Sequence, residues 1–287
     1  MGVRREARAA LAAAGLRPRK RWGQHFLCDG GVAQRIVETA EIGRRSVVLE
    51  IGPGLGALTE RLAAGAGRLY LVEIDPKLAA RLIARYAGDE RVRVLEGDVL
   101  ALPLAEIISE PAVTVVANLP YNIATPVLFR LLEVRRRFPR AVLMLQREVA
   151  ARLAALPGGA DYGSTSVLVQ AFAEVRVAFG VSRRSFLPRP EVDAAVVDVR
   201  WNPGPRVDVG EIGLFREVVH AAFGQRRKML RNALAGLASE RGLGPGAAAA
   251  AFVRAGVDPA ARGETLDLEA FARLARAFDS KASASSS

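Results

Sequence analysis

Five short apolar runs, each followed by a stretch with helical spacing, constrain this chain more than any other feature. They are Ser46–Ile51, Leu69–Ile74, Val92–Leu95, Val113–Ala117 and Ala141–Leu145. Short, nearly continuous apolar runs suit strands buried on both faces. Their alternation with helices implies a parallel sheet covered on both sides. Pro76 opens the helix after the second run, where its missing N–H goes unneeded. Two later strands, Val175–Val181 and Ala194–Trp201, come without a long helix between them and read as a hairpin-like antiparallel edge. The expected fold class is α/β, a Rossmann-like sheet with a small all-helical domain after it.

The boundary of that second domain is read from Asn202-Pro203-Gly204-Pro205, a cluster of helix and strand breakers. Beyond it, Ile212 to Phe278 shows only helical periodicity. The expected divisions are a basic arm over 1–21, the sheet domain over 22–202, the helical domain over 203–279 and a polar, disordered tail over 280–287. With 51 % hydrophobic and 25 % charged residues, the chain has material for a sizeable core and is not disordered as a whole. One cysteine, Cys28, excludes a disulfide framework within the chain and fits a reducing, cytoplasmic setting. Two histidines, His25 and His220, are too few for a multi-histidine centre, so no metal is expected. No run is long and charge-free enough for a membrane helix. The Arg- and Ala-rich start has no apolar signal core, and the same bias over the whole chain argues against a transit peptide.

The strongest local signal is Glu50-Ile51-Gly52-Pro53-Gly54-Leu55-Gly56-Ala57, at the end of the first strand. Glycines there let the backbone turn sharply and approach a ligand. Glu73 ends the second strand and can hold ribose hydroxyls. These features alone fit a nicotinamide enzyme or an S-adenosylmethionine enzyme. Three others favour the latter. The glycines recur at spacing two behind an acid. Gly97-Asp98 follows the third strand, where a carboxylate can accept from an adenine amino group. The fourth strand ends in Asn118-Leu119-Pro120-Tyr121.

That tetrapeptide carries a mechanism. The exocyclic amine of adenine is a poor nucleophile because its lone pair is delocalised into the ring. Hydrogen bonds to the Asn118 side-chain carbonyl and the Leu119 backbone carbonyl would hold it out of plane and aim the lone pair at a donor methyl. Pro120 stiffens the turn and brings no competing N–H. Tyr121 offers a face on which an unstacked base can lie.

Through these motifs the chain resembles the ribosomal RNA adenine N6-dimethyltransferase family, the kasugamycin-sensitivity methyltransferases of the small subunit. The resemblance also rests on Lys20-Arg21-Trp22-Gly23-Gln24-His25-Phe26-Leu27, Leu145–Glu148, Tyr162-Gly163, Phe186–Asp193 and Phe223–Asn232, and so covers nearly the whole chain. It implies a monomeric enzyme that uses S-adenosylmethionine and acts on an immature small ribosomal subunit, at two adjacent adenines of 16S RNA. It implies that Gln24, His25 and Leu27 close over the cofactor, that Gly52 meets its methionine portion, Glu73 its ribose and Asp98 its adenine. Asn118 lies between donor and acceptor. Glu50, Gly54, Gly56, Ile74 and Val99 complete the expected cofactor site. Phe186 is expected opposite Tyr121, closing a sandwich on the target base. His25 stands where the family commonly has Asn.

The formal charge of +11 (41 basic against 30 acidic residues) suggests a polyanionic partner. Arg183 and Arg184, and Arg226, Arg227, Lys228 and Arg231, are the expected RNA contacts. Arg135–Arg137 reads equally as a solvated helix end. His220 is expected to pack near Phe215 and Phe223. A large-subunit adenine methyltransferase of the macrolide-resistance kind and a non-catalytic RNA-binding assembly factor are the alternative readings.

Overall fold

The structure, a computed structural model, describes residues 22–279. The arm over 1–21 and the tail over 280–287 lie outside the described residues. The strands, in chain order, are β1 (Phe26–Leu27), β2 (Val47–Ile51), β3 (Arg68–Glu73), β4 (Val92–Glu96), β5 (Thr114–Asn118), β6 (Arg140–Gln146), β7 (Ala173–Val181), β8 (Phe186–Leu187) and β9 (Ala194–Trp201). Seven of them form one sheet in the order β4-β3-β2-β5-β6-β9-β7. Strands β2 to β6 pair in parallel, and β9 runs antiparallel against β6. Val48, Leu49, Val115, Val116, Val142 and Leu143 are all fully buried, which is why these runs carry no alternation. The five runs and the antiparallel edge form strands as expected, but β4, at the sheet edge, is only partly buried, with Arg93 and Glu96 exposed.

Parallel strands place their carboxyl ends along one rim. The chain leaves β2 toward β3 on one side and reaches β5 on the other, so a crevice opens at that reversal, where open α/β sheets bind ligands. Helix α1 (Gly30–Ala40) starts behind Asp29, which accepts from the N–H groups of Gly31 and Val32. Helix α2 (Thr59–Gly65) follows the glycine loop, and α3 (Pro76–Tyr86) is capped by Asp75, which accepts from Lys77 N–H.

A second, two-stranded ladder escaped sequence reading. Strand β1 pairs antiparallel with β8, and Cys28 N–H donates to the Ser185 carbonyl at 2.7 Å. Two residues per strand give no periodicity to detect. This ladder ties the Gln24–Leu27 block to the Phe186–Asp193 block.

The division of the chain differs from the expected single boundary. Among the described residues, 22–150 together with Glu174–Pro203 form one compact unit, and Ala151–Ala173 with 204–279 form the other. The boundary near Asn202–Pro205 is one of three crossings. The segment 151–173 joins the helical unit through long-range bonds. Arg206 N–H donates to Ala171 O, and the Tyr162 hydroxyl donates to Leu266 O. Within the segment, Gln170 donates to the carbonyls of Leu153 and Ala155. In that unit Phe223 stacks on Phe271 at 5.7 Å with Tyr162 against its edge. His220, expected to pack near Phe215 and Phe223, is instead exposed on the helix Ile212–Gly224, because the buried face falls on Phe215, Val218, Val219 and Ala222. Among the described residues, no helix is long and apolar enough to cross a membrane.

Candidate active site

The crevice is a cavity at the carboxyl ends of β2, β3, β4 and β5. Gln24, His25, Leu27, Glu50, Gly52, Gly54, Glu73, Ile74, Asp98, Val99 and Asn118 all line it, as do Leu119, Pro120 and Tyr121. Two expected site residues do not. Gly56 bends the loop instead, its N–H donating to Pro53 O at 2.9 Å. Phe186 is 1 % exposed and packs in the core with Leu27, Val181 and Val196, so it presents no face to the cavity. The ladder position opposite Leu27 turns it inward. Trp22, Phe26, Leu78 and Ile123 also line the cavity without having been assigned a site role from sequence; Trp22 and Phe26 lie in the Gln24 block, Ile123 just after the Asn118 turn, and Leu78 on α3 behind Glu73 with no local signal.

Gly52 and Gly54 sit at φ +67° and +57°, in the left-handed region that favours glycine. A side chain at Gly52 would enter open space, whereas one at Gly54 would strike the Phe26 ring at 3.0 Å. Glu73 fixes the loop. Its carboxylate accepts from Gly54 N–H at 3.0 Å with one oxygen and from Asp75 N–H at 2.9 Å with the other. Each oxygen keeps a second lone pair for a ligand hydroxyl. Burial pushes the Glu73 carboxyl above its usual range, against the pull of those backbone bonds. Asp98 is exposed at the rim and accepts from Leu100 N–H with one oxygen, leaving the other available.

Glu50 is 1 % exposed, and its Oε2 has no hydrogen-bond partner. Burial pushes its carboxyl up to about 8, with the nearby Thr59 hydroxyl pulling down and Glu73 pushing further up. The cavity thus offers a buried carboxyl with an unused oxygen, two acids at successive strand ends, a backbone cradle at Gly52 and an apolar face in Ile74, which is 40 % exposed. That set fits S-adenosylmethionine, which carries positive charge at one end, a diol in the middle and a flat base at the other.

At the end of β5 the Asn118 Nδ2 donates to the His25 backbone carbonyl at 3.0 Å. A carbonyl only accepts, so the amide nitrogen faces His25 and Oδ1 remains as an acceptor. The His25 ring is held from the other side, its Nδ1 donating to Pro188 O at 2.9 Å. It lies 5.5 Å from the Tyr121 ring at 30°. The Tyr121 hydroxyl is buried with no hydrogen bond, and burial raises its pKa. Cys28 is buried with its thiol on the Phe26 carbonyl and does not line the cavity.

The expected RNA contacts separate. Arg183 and Arg184 are exposed beside Ser182; Arg183 also holds Glu191 O through its guanidinium. Arg227, Lys228 and Arg231 are exposed in the helical unit. Arg226 is engaged within that unit, with Glu264 and the Ala160 carbonyl, both at 2.8 Å. Arg135 and Arg137 brace carbonyls of Leu132, Asn202, Ser109 and Glu110, which favours a structural helix end over an RNA clamp there.

The chain is 45 % identical over 271 residues to Ribosomal RNA small subunit methyltransferase A of Moorella thermoacetica, covering 91 % of this chain and 93 % of that one. It is 47 % identical over 265 residues to the protein of the same name from Geobacter sulfurreducens, covering 91 % and 95 %. Among solved structures, a dimethyladenosine transferase from Plasmodium falciparum superposes with a TM-score of 0.73 at 26 % identity, over 87 % of this chain and 96 % of that one. The 23S rRNA methyltransferase ErmE follows at 0.67 and 28 % identity, over 88 % and 99 %. The pattern described as ribosomal RNA adenine dimethylase matches residues 15–279, and with a match over that span the chain belongs to the ribosomal RNA adenine dimethylase family.

Proposed function

We propose that this chain transfers methyl groups from S-adenosylmethionine to the N6 amines of two adjacent adenines in small-subunit (16S) ribosomal RNA, within an immature small subunit. It works as a monomer in the cytoplasm. The observation that carries the reading is the Asn118 amide. Its nitrogen is spent on the His25 carbonyl, so its oxygen is left to accept from an amine in the cavity.

S-adenosylmethionine, when bound, supplies an electrophilic methyl on a sulfonium. The protein's part is positioning and electrostatics. Glu73 receives the ribose hydroxyls, Asp98 the adenine amino group, and Gly52 lets the backbone come close to the methionine portion. Asn118 Oδ1 and the Leu119 carbonyl accept from the target amine and hold its lone pair out of the ring plane. The Tyr121 face carries the target base. Because Phe186 is buried, the second face of the aromatic sandwich is not supplied by that residue. The tilted His25 ring beside Tyr121 is the neighbouring flat group instead. The new N–C bond forms as the C–S bond breaks, and the amine proton leaves to solvent. Arg183, Arg184, Arg227, Lys228 and Arg231 contact RNA phosphates.

The large-subunit reading draws on the likeness to ErmE. The small-subunit reading is favoured by relatives at 45 % and 47 % identity that carry the small-subunit name. The deciding experiment gives the protein labelled S-adenosylmethionine with either immature small subunits or naked large-subunit RNA. Label in the small-subunit RNA, as dimethyladenosine, is expected. Label only in the large-subunit RNA would overturn the reading, and no transfer despite bound cofactor would favour an assembly factor.

A further inference from the structure

Glu50 stands out among the cavity residues because its chemistry exceeds what holding a ligand in place requires. It is buried to 1 % exposure at the end of β2, lines the cofactor cavity, and has one carboxylate oxygen with no partner. The titratable groups facing it from the packed elements oppose its ionisation. Glu73, at the end of β3, raises its proton affinity, and the Tyr86 phenol on α3, itself raised chiefly by burial, brings no positive charge. The Thr59 hydroxyl on α2 is the group that pulls the other way. A buried carboxyl without a cation keeps its proton, because desolvation penalises the charged form.

We propose that Glu50 holds a proton in the unliganded protein and gives it up when the cationic methyl donor enters, so that the site recognises the donor by charge and favours it over the neutral thioether product. This rests on the cofactor reading above. S-adenosylmethionine carries one more positive charge than S-adenosylhomocysteine. An added cation beside a buried acid lowers that acid's proton affinity, and by linkage deprotonation tightens the cation. The order of events follows. Donor loading releases a proton to solvent. Methyl transfer removes the sulfonium charge, and Glu50 recovers a proton from solvent as the product loses its hold. No oxidant or second reactant is needed. The burial of the carboxyl, which costs folding stability, then has a use in turnover.

The experiment is calorimetric binding of S-adenosylmethionine and S-adenosylhomocysteine to the intact protein in two buffers of different ionisation enthalpy, from about pH 6 to about pH 8, the range below the raised Glu50 value. Glu50→Gln, a neutral isostere of the protonated side chain, is measured alongside. The ligand's own α-amino group titrates in both proteins, so the readout is their difference. Wild type is expected to release about one more proton than Glu50→Gln on binding the donor near neutral pH. Its donor affinity should rise by up to about tenfold per pH unit beyond any change in the variant. The product should release less and gain less. Equal proton release by wild type and Glu50→Gln, with binding intact, overturns the proposal while leaving the cofactor reading standing. Equal release for donor and product overturns the charge discrimination. No heat of donor binding at all overturns the cofactor reading itself.

Discussion

The Asn118 side chain donates to the backbone carbonyl of His25 across 3.0 Å, joining residues that lie 93 positions apart in the chain. One hydrogen bond decides which end of the amide is left facing the cavity. It also seats the N-terminal Gln24–Leu27 block over the site, since His25 is gripped from its ring side by Pro188.

Asn118→Ala should therefore lose the acceptor and the anchor together. The expected result is a fall in methyl transfer of roughly 10²–10³-fold, the range for removing a single preorganised polar group. Cofactor affinity should change far less. Single-turnover transfer alongside equilibrium binding of S-adenosylmethionine checks this; a variant as active as wild type removes Asn118 from the mechanism.

Tyr121→Phe deletes a buried hydroxyl that has no partner, so it should leave transfer nearly intact and stability equal or higher. Tyr121→Ala removes the face itself and should weaken the bound base by about 1–3 kcal/mol. Phe186→Leu separates the two aromatics. It should lower the melting temperature, because the ring is core, yet leave the KM for RNA close to wild type. A large KM effect without a stability loss would return Phe186 to the base pocket.

Glu50 sets a pH dependence of stability. Its folded-state pKa, about 8, lies above the ordinary value of 4.5. The folded protein then binds more protons than the unfolded chain between those values. The contribution to stability is fully present below about pH 4.5 and is lost as pH rises to about 8. Each tenfold change in proton affinity is worth about 1.4 kcal/mol. Glu50→Gln should flatten this profile and exceed wild type most near the upper end of that window, as read by denaturant unfolding across it.

Neutralising Arg227, Lys228 and Arg231 together should weaken RNA binding and reduce the salt slope by about 0.7–0.9 for each phosphate that is no longer neutralised. Arg226→Gln should change the slope less and lower stability instead, because its guanidinium is engaged by Glu264 and Ala160. Binding measured over a salt series separates the two outcomes.

Arg140 gives a control away from the cavity. It grips Asp198 with two nitrogens at 3.0 and 3.1 Å and also bonds Glu41 and the carbonyls of Thr39 and Ala40 at the end of α1. Asp198 is 2 % exposed at its side chain. Arg140→Ala removes that carboxylate's main partner and should cost less than the roughly 3–5 kcal/mol of a fully unpaired buried charge, because Arg200 and Arg176 remain at 3.4 and 3.7 Å. Cofactor affinity of the folded fraction should not move.

The sequence by itself determined the sheet, because strands buried on both faces must be mostly apolar, as are Val47–Ile51 up to the acid Glu50 and Thr114–Asn118 between its polar ends. It also determined the Gly52–Gly54 loop, the acids Glu73 and Asp98, and the Asn118–Tyr121 turn, since each sits at a strand end and its chemistry is local. What only the tertiary structure decided are relations between distant segments. The β1–β8 ladder is too short to show a period, yet it turns Phe186 into the core and brings His25 to Asn118. The segment 151–173 carries the same helical pattern in either unit, and its place was set by distant partners, such as the Leu266 carbonyl that takes the Tyr162 hydroxyl. Exposure, too, was decided there: Arg226 and Arg227 are neighbours of one charge, but a carboxylate 38 residues away engages the first, and the second is exposed. Local rules fix what each residue can do, whereas packing fixes which partners are close enough for it to matter.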